Sequence, residues 1–305
     1  MITLRFHLTS PFSGEIGFSG VPLRAAFLDF LRECNGELSE RVHGAEGTRA
    51  YSIDPFPCDA KFNTHFEAGQ EYVFCVHLFK PSAYQDVISN IALKNGHSLR
   101  LHHHRFPMNR IDFLRRAPHS MMQEWTDFLN DIEEGLIRLR FNFLTPTQLS
   151  EFGSDKASLL PTPEKVFTSL LRVWNTMENA TKLERTGMFR DWVTKNVYVS
   201  GYYLRTVRVP LGRGRTVIGF IGNVVYNIEP DDSPLVNLTT GLARYAEICN
   251  IGKNRSAGFG KVEVDILNKS DNKGNRNAQA RGDYYVLPTG RDSEKTTAKI
   301  SKTFA

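Results

Sequence analysis

The sequence predicts an α+β fold in which one βαββαβ order of elements occurs twice. Segments of alternating polar and apolar residues are separated by amphipathic helical segments, and the order is the same in both halves. The length of 305 residues allows two domains, each with its own hydrophobic core. We therefore expect an N-terminal domain at 1–106, a linker at 107–135 and a C-terminal domain at 136–267.

The first half alternates strands and helices clearly enough for each to be assigned. Apolar residues recur at three- and four-residue intervals from Leu23 to Cys34, with Pro22 suited to the first turn of a helix. A second helix begins at the capping box formed by Ser82 and Gln85. Alternation predicts strands at 2–8, 49–54, 71–79 and 98–106.

The second half repeats this order. Thr162 and Pro163 begin one helix, and apolar residues from 235 to 249 form the face of another. Strands are predicted at 136–144, 197–210, 216–228 and 259–267, with a β-hairpin turn at 211–215. Two tandem ferredoxin-like (RRM-like) domains account for both halves. The remaining residues, 268–305, are rich in Lys, Asn and Ser and predict a flexible basic tail.

Composition indicates which kinds of partner the chain can bind and where in the cell it works. The 38 Lys and Arg residues exceed the 33 acidic residues and give a net charge of +5, which suits a polyanionic partner. The four cysteines contain no Cys-x-x-Cys pair, so they indicate neither a zinc site nor a disulfide framework. No apolar run reaches the roughly 18 residues of a membrane span. We expect a soluble, cytoplasmic protein without membrane association.

The glycine-rich stretch at 250–261 is the strongest candidate for binding phosphate. Gly252, Gly258 and Gly260 can adopt positive φ and expose backbone N–H groups, and Lys253 and Arg255 place cations beside them. The alternative is an ordinary tight connection between a helix and a strand.

The hairpin at 197–228 is the second candidate. Four arginines cluster near its tip, and Tyr202 and Tyr203 offer stacking surfaces for bases. An ordinary amphipathic hairpin is the alternative for the tyrosines. The RNA-binding candidates in this hairpin are Arg205, Arg208, Arg213 and Arg215. We expect Gly258 and Arg213 to share one RNA-facing surface.

Four short motifs carry a resemblance to a known family. They are Leu38-Ser-Glu-Arg-Val-His43 followed by Ala50-Tyr-Ser52, Phe143-Leu-Thr-Pro146, Gly219-Phe-Ile-Gly222, and Ala257-Gly-Phe-Gly260. In this order, over residues 1–267, they resemble the CRISPR-associated endoribonucleases of the sixth numbered Cas family. The resemblance implies a metal-independent enzyme that cuts CRISPR repeat RNA in precursor transcripts and needs no cofactor.

The resemblance also implies the catalytic residues. His43 matches the family's catalytic histidine, and its unperturbed pKa near 6.5 suits proton exchange at neutral pH. Arg49 lies six residues later, where similar proteins place a lysine, and its charge can stabilise the phosphorane. Arg24 and Lys253 are weaker candidates for the same electrostatic role. The reaction is attack of the 2′-OH on the adjacent phosphate, which leaves a 2′,3′-cyclic phosphate and a 5′-OH.

The chain departs from the family's pattern at two places. The loop begins with Asn250-Ile-Gly252 instead of a Gly-x-Gly pair, and asparagine tolerates positive φ better than most residues. Some members carry a tyrosine on the first helix, where this chain has Phe27 and Leu28.

Alternatives to the nuclease remain open. His102, His103 and His104 suggest a metal site, but no companion carboxylate or cysteine set accompanies them. A non-catalytic subunit that holds repeat RNA within a larger ribonucleoprotein is the second function class. The expected partners are repeat RNA, with other Cas proteins and a second copy of the chain as further candidates.

Overall fold

The computed structural model describes residues 1–44, 48–90, 97–116, 136–154, 156–212, 214–229, 231 and 233–267. The N-terminal half contains seven strands and four helical segments within these ranges. In chain order they are β1 (Ile2–Thr9), β2 (Gly14–Ile16), α1 (Gly20–Cys34), α2 (Gly36–Gly44), β3 (Tyr51–Asp54), β4 (Thr64–Phe66), β5 (Glu71–Leu78), a 3₁₀ helix (Pro81–Tyr84), α3 (Gln85–Asn90), β6 (Ser98–Leu101) and β7 (His104–Arg115).

The C-terminal half contains a second set of strands and helices. They are β8 (Ile137–Thr147), β9 (Leu149–Ser150), β10 (Ala157–Ser158), α4 (Pro163–Trp174), α5 (Thr186–Asn196), β11 (Val197–Gly212), β12 (Arg215–Ile228), α6 (Leu235–Cys249), a 3₁₀ turn (Arg255–Ala257) and β13 (Val262–Ile266). Within the described ranges, no α-helix combines the length and the apolar composition that crossing a membrane requires.

The two main sheets have related topologies. The N-terminal sheet has the order β3-β5-β1-β7-β6, and the C-terminal sheet has the order β11-β12-β8-β13. All neighbouring strands in both sheets are antiparallel. In each half the first long strand lies in the interior of the sheet, and the strand after the first helical segment lies at one edge. The predicted α+β class with two ferredoxin-like patterns is confirmed.

Each sheet buries one face against helices. Alternate residues of β8 are buried from Ile137 to Phe143, and the residues between them are half-exposed. One cluster packs β1, β3 and β5 against α1, and another packs β8 and β12 against α4 and α6. A third, smaller cluster joins the halves: Phe18 and Phe62 pack with Val207, Val209, Val217, Ala257 and Phe259.

Hydrogen bonds also cross between the halves at strand β3. Ser52 Oγ donates to Ile248 O at 2.6 Å, and Asn250 Nδ2 donates to Ile53 O at 2.9 Å. All four residues are buried. A polar group that is buried without a hydrogen-bond partner costs free energy. Because these groups pair with each other, the two bonds stabilise the packing of β3 against the end of α6.

Two segments depart from the assignment made from the sequence. Residues 36–44, which include His43 and were assigned to no element, are helical, because Asn35 Oδ1 accepts from Leu38 N at 3.0 Å and Leu38 is buried. The single strand predicted at 98–106 is a hairpin, β6 and β7, with His102 at positive φ in the turn.

Strand β7 also crosses the predicted start of the linker at 107. Strand β7 continues to Arg115 because it pairs with β1, from Leu8 opposite Met108 to Ile2 opposite Arg115. Helix α5 was not predicted. Most of the linker, 117–135, and the whole tail, 268–305, lie outside the described residues, so the domain boundaries stay a prediction.

Candidate nucleic-acid interface

The candidate catalytic His43 belongs to the last turn of α2. This helix follows α1 after one residue, Asn35, and lies against it: Ser39 Oγ donates to Leu28 O at 3.0 Å. Leu38 and Ser39 are both buried. The backbone that carries His43 is therefore held by packing on α1.

Arg49 holds the C-terminal end of α2. Its Nη1 donates to Val42 O at 2.8 Å. The last carbonyls of a helix have no partner within the helix, and a cation there also interacts favourably with the helix dipole. Val42 directly precedes His43, so the Arg49 side chain contacts the backbone one residue before His43.

Arg255 connects this segment to the glycine-rich loop. Its Nη2 donates to Arg49 O at 3.2 Å and its Nη1 donates to Cys249 O at 2.9 Å. The guanidinium also lies 5.8 Å from the centre of the Phe79 ring. Burial lowers the pKa of Arg255, with the neighbouring Cys249 opposing the shift.

The prediction that Arg255 contacts RNA phosphate is therefore wrong for its guanidinium. The residue is 6% exposed, and its charge is used inside the protein to hold two carbonyls from different halves. The guanidinium is buried by contacts with Arg49 and Phe79, which lie far earlier in the chain. The sequence of the loop alone therefore does not show this burial.

The glycines of the loop serve close backbone packing. A Cβ on Gly260 would lie 1.9 Å from Ile251 O, and a Cβ on Gly252 would lie 2.3 Å from Gln148 O. Gly252, Gly258 and Gly260 all have φ between 74° and 84°. The sequence predicted this positive φ correctly.

The predicted exposure of the loop's N–H groups is wrong for two of these glycines. Gly258 N donates to Arg255 O at 3.1 Å, and Gly260 N donates to Pro146 O at 3.2 Å. Both donors are used within the protein, so they cannot also bind phosphate without breaking these bonds. Lys253 is half-exposed beside Gly252 and remains a candidate RNA contact.

Asn250, at the start of the loop, has a side chain that the structure uses. Its φ is +58° as predicted, but its ψ of 165° lies outside the left-handed helical region that asparagine tolerates, so the backbone is strained there. Its side-chain amide makes the bond to Ile53 O that joins the halves, and a glycine would accept the backbone angles but lose that bond.

A polar network that the sequence did not predict lies beside the loop. Lys261 Nζ donates to Asp54 Oδ2 at 2.6 Å, His77 Nε2 lies 3.1 Å from the same oxygen, and Thr3 Oγ1 lies 2.8 Å from His77 Nδ1. Burial acts to raise the pKa of Asp54, but the charges and hydrogen bonds of His77 and Lys261 outweigh burial and lower it. This network is a second polar link between the halves.

Gly20 is a further residue that sequence analysis missed. A Cβ at this position would lie 2.1 Å from Ala257 O, so only glycine lets the start of α1 approach the loop this closely. Arg24 lies one turn later on α1, and its Nε is buried with no hydrogen-bond partner among the described residues. In the sequence, the available signal for this close approach was Gly20, two residues before Pro22 at the start of the predicted helix.

The aromatic and basic residues of the hairpin divide between two faces. Adjacent residues of a strand point to opposite sides of the sheet. Tyr203 and Arg205 therefore share one face of β11, and Tyr202 and Arg208 share the other. Both tyrosines are exposed, by 71% for Tyr202 and 62% for Tyr203.

The hairpin nevertheless lies next to the glycine-rich loop, because Val207 and Val209 pack in the same cluster as Ala257. Arg205 Nη2 donates to Ala60 O at 3.1 Å, and Arg215 is exposed at the start of β12. Arg213 lies outside the described residues, so its predicted place on a surface shared with Gly258 stays a prediction.

The three adjacent histidines do not form a metal site. His102 and His103 make the turn between β6 and β7, and the ring of His104 stacks on Phe12 at 3.9 Å. Burial and the two neighbouring histidines lower the pKa of His102. In the part of the chain that the structure describes, no group of three or more His, Cys, Asp or Glu side chains is arranged to hold a metal ion.

Comparisons with known proteins agree with the resemblance seen in the sequence. Residues 141–262 match the family model described as CRISPR-associated endoribonuclease Cas6. No curated protein matches the sequence significantly.

Several solved structures share the fold. A product complex of Cas6 from Thermus thermophilus is 17% identical, with a TM-score of 0.65 over 87% of this chain and 99% of that one. Another Cas6 product complex is 19% identical, with a TM-score of 0.63 over 87% of this chain and 100% of that one. A chain of a partial Cas6–RT–Cas1–Cas2 complex is 13% identical, with a TM-score of 0.56 over 99% of this chain and 56% of that one.

Proposed function

We propose that this chain is a Cas6-type endoribonuclease that binds CRISPR repeat RNA and cuts it in precursor transcripts without a metal ion. The proposal is supported by the family-model match over residues 141–262 and by the Cas6 product complexes that share the fold. The observation that carries it is the hydrogen-bonded path from Val42 through Arg49 to Arg255. This path ties the segment that contains His43 to the glycine-rich loop.

The proposed reaction is an intramolecular transesterification. The ribose 2′-oxygen attacks the adjacent phosphorus, the P–O5′ bond breaks, and the products are a 2′,3′-cyclic phosphate and a 5′-OH. His43 accepts the proton of the 2′-OH, and the leaving 5′-oxygen takes a proton from solvent. His43 suits this role because imidazole exchanges protons near neutral pH.

Arg49 is proposed to act in two ways. Its hydrogen bond to Val42 O fixes the turn that carries His43, and its permanent charge stabilises the phosphate as negative charge builds on it. RNA phosphates are proposed to contact Lys253 on the loop and Arg205, Arg208 and Arg215 on the hairpin. One guanidinium can both order the turn and neutralise charge, because it has five N–H donors and keeps its charge.

A non-catalytic RNA-binding subunit is the second candidate. Phe27 and Leu28 favour it, because they occupy the turn of α1 where some family members carry a tyrosine hydroxyl, and both are buried in the core. Such a subunit would bind repeat RNA in the cytoplasm with other Cas proteins or a second copy of this chain. It would leave the RNA intact.

Incubation of the purified protein with repeat RNA in EDTA separates the two functions. A nuclease gives one defined cut, a 2′,3′-cyclic phosphate and a 5′-OH, and does not cut RNA whose scissile 2′-OH is replaced by hydrogen. A binding subunit retains both RNAs equally and releases no product. Cleavage that requires added divalent metal would contradict the proposed mechanism.

A further inference from the structure

The loop between β3 and β4 is held in one conformation by its own hydrogen bonds. Asp59 Oδ1 accepts from Lys61 N at 2.8 Å and from Asn63 N at 2.9 Å, and Phe62 N donates to Asp59 O at 3.0 Å. His65 Nε2 lies 3.0 Å from Asp59 Oδ2. The hydrogen bond from Asn63 N–H, followed by that of His65, lowers the pKa of Asp59. The ionised carboxylate therefore acts only as an acceptor at neutral pH.

Phe62 anchors the β3–β4 loop on the C-terminal half. It is buried, and it packs in the cluster that contains Val207 and Val209 of β11 and Val217 of β12. Its φ is +65°, which is unfavourable for a bulky residue. Such a backbone conformation persists only where the surrounding structure holds it. Here the bonds to Asp59 and the burial of the Phe62 ring do so, which ties the loop to the base of the arginine hairpin.

The β3–β4 loop also binds the side chain of Arg205. Arg205 Nη2 donates to Ala60 O at 3.1 Å, and Ala60 directly follows Asp59. The register of β11 is regular from Arg205 to Val207, so both side chains lie on the face of the hairpin that meets the loop. Arg208 lies on the opposite face. The loop therefore acts directly on Arg205.

Arg205 keeps the capacity to bind phosphate in this position. The residue is exposed, and Ala60 O takes one of the five N–H donors of its guanidinium. A guanidinium binds phosphate through two parallel N–H bonds, so the strength of the contact depends on the orientation of its plane. A side chain that is ordered before RNA binds also loses less conformational entropy on binding.

We propose that the β3–β4 loop holds the Arg205 guanidinium in the orientation that binds an RNA phosphate, and that Asp59 is the positioning residue. The inference rests on the proposed function. The negative charge of Asp59 repels RNA, so its charge alone works against binding. Its contribution to binding comes from the two backbone N–H groups that it holds, because these bonds fix the turn that presents Ala60 O to Arg205.

Substitutions of Asp59 separate its charge from its hydrogen bonds. Asp59→Asn removes the charge but keeps a side-chain oxygen that can accept the same two backbone bonds, and Asp59→Ala removes both. Asp231→Ala is the matched control, because Asp231 is also exposed, accepts from Ser233 N and Trp192 Nε1, and follows the end of β12 that lies away from the hairpin tip. Each protein is titrated with repeat RNA that carries a 2′-deoxy nucleotide at the scissile position, so that binding is measured without cleavage.

We expect Asp59→Ala to bind this RNA about 2- to 10-fold more weakly than the wild type, the usual effect of one hydrogen bond, although loss of a negative charge alone should strengthen binding. Asp59→Asn and Asp231→Ala should bind at least as tightly as the wild type. Arg205→Ala should weaken binding to the wild type but add little to the loss in Asp59→Ala. Arg208→Ala should weaken binding by the same factor with and without Asp59→Ala.

Three results would overturn the inference. Wild-type affinity in Asp59→Ala would show that the loop does not position an RNA contact, while normal cleavage by the wild type would leave the proposed function intact. Fully additive losses from Asp59→Ala and Arg205→Ala would show that the loop does not act through Arg205. A wild type that neither binds nor cuts repeat RNA would refute the proposed function and, with it, this inference.

Discussion

Replacement of Arg255 by alanine distinguishes an internal clamp from an RNA contact. The wild-type guanidinium donates to Arg49 O and Cys249 O and lies over Phe79. Arg255→Ala leaves both carbonyls without this donor and opens a cavity between the halves. If the clamp is the main role of Arg255, the substitution should reduce stability and leave the salt dependence of RNA binding unchanged.

The expected decrease in the free energy of unfolding of Arg255→Ala follows from the two hydrogen bonds that are lost. A hydrogen bond to a charged group contributes about 1.5–3 kcal/mol, so loss of both costs about 3–6 kcal/mol. The residue is 6% exposed, so solvent screening does not reduce this value appreciably. Arg208→Ala is the matched control, because Arg208 is exposed on β11. It should change stability by less than about 0.5 kcal/mol.

Urea unfolding and salt titration of RNA binding together provide the assay. Arg255→Ala should shift the unfolding midpoint strongly and keep the wild-type salt slope at a temperature where it is folded. Arg208→Ala should keep the midpoint and lower the slope by about 0.7, the value for one phosphate contact on single-stranded RNA. A stable Arg255→Ala protein with a reduced salt slope would refute the clamp.

Three further predictions concern the loop, the polar network and the hairpin. Gly260→Ala should lower the urea midpoint more than Gly69→Ala, because both have positive φ but only Gly260 has a carbonyl within 2 Å of an added Cβ; equal losses would contradict this. The ionised Asp54 carboxylate stabilises the fold above its unfolded pKa of about 3.9, and this stability is lost as pH falls through its lower folded pKa. The wild-type midpoint should therefore fall more steeply below about pH 4 than that of Asp54→Asn, and parallel curves would exclude the network's contribution. Arg215→Ala should weaken RNA binding at low salt more than at high salt, and a salt-independent loss would argue against a phosphate contact.

The sequence predicted the elements whose pattern is local. The alternation in β8 identifies a strand because one face of the sheet is buried and the other is not. Positive φ at the loop glycines was also predictable, since few other residues tolerate that backbone angle. Asn250 has the predicted positive φ, but its ψ of 165° is one that asparagine does not favour. These features need no knowledge of distant contacts.

The features that the sequence did not reveal depend on distant partners. Arg255 was predicted to contact RNA because nothing in the loop shows that its side chain reaches Arg49. Helix α2 has only Leu38 and Val42 as an apolar pair, and its stability comes from packing on α1. Strand β7 runs beyond its apolar pattern because it pairs with β1. In each case, tertiary contact outweighs the local signal.

The central claim is that His43 transfers the proton of the attacking 2′-OH. Single-turnover cleavage of repeat RNA in EDTA by His43→Ala, with affinity measured in parallel on the 2′-deoxy RNA, tests it most directly. Positioned proton transfer accounts for about 10²–10⁴-fold in rate, so the variant should lose cleavage by that factor and keep nearly wild-type affinity. Cleavage by His43→Ala at the wild-type rate, or a loss of rate explained entirely by lost affinity, would contradict the mechanism.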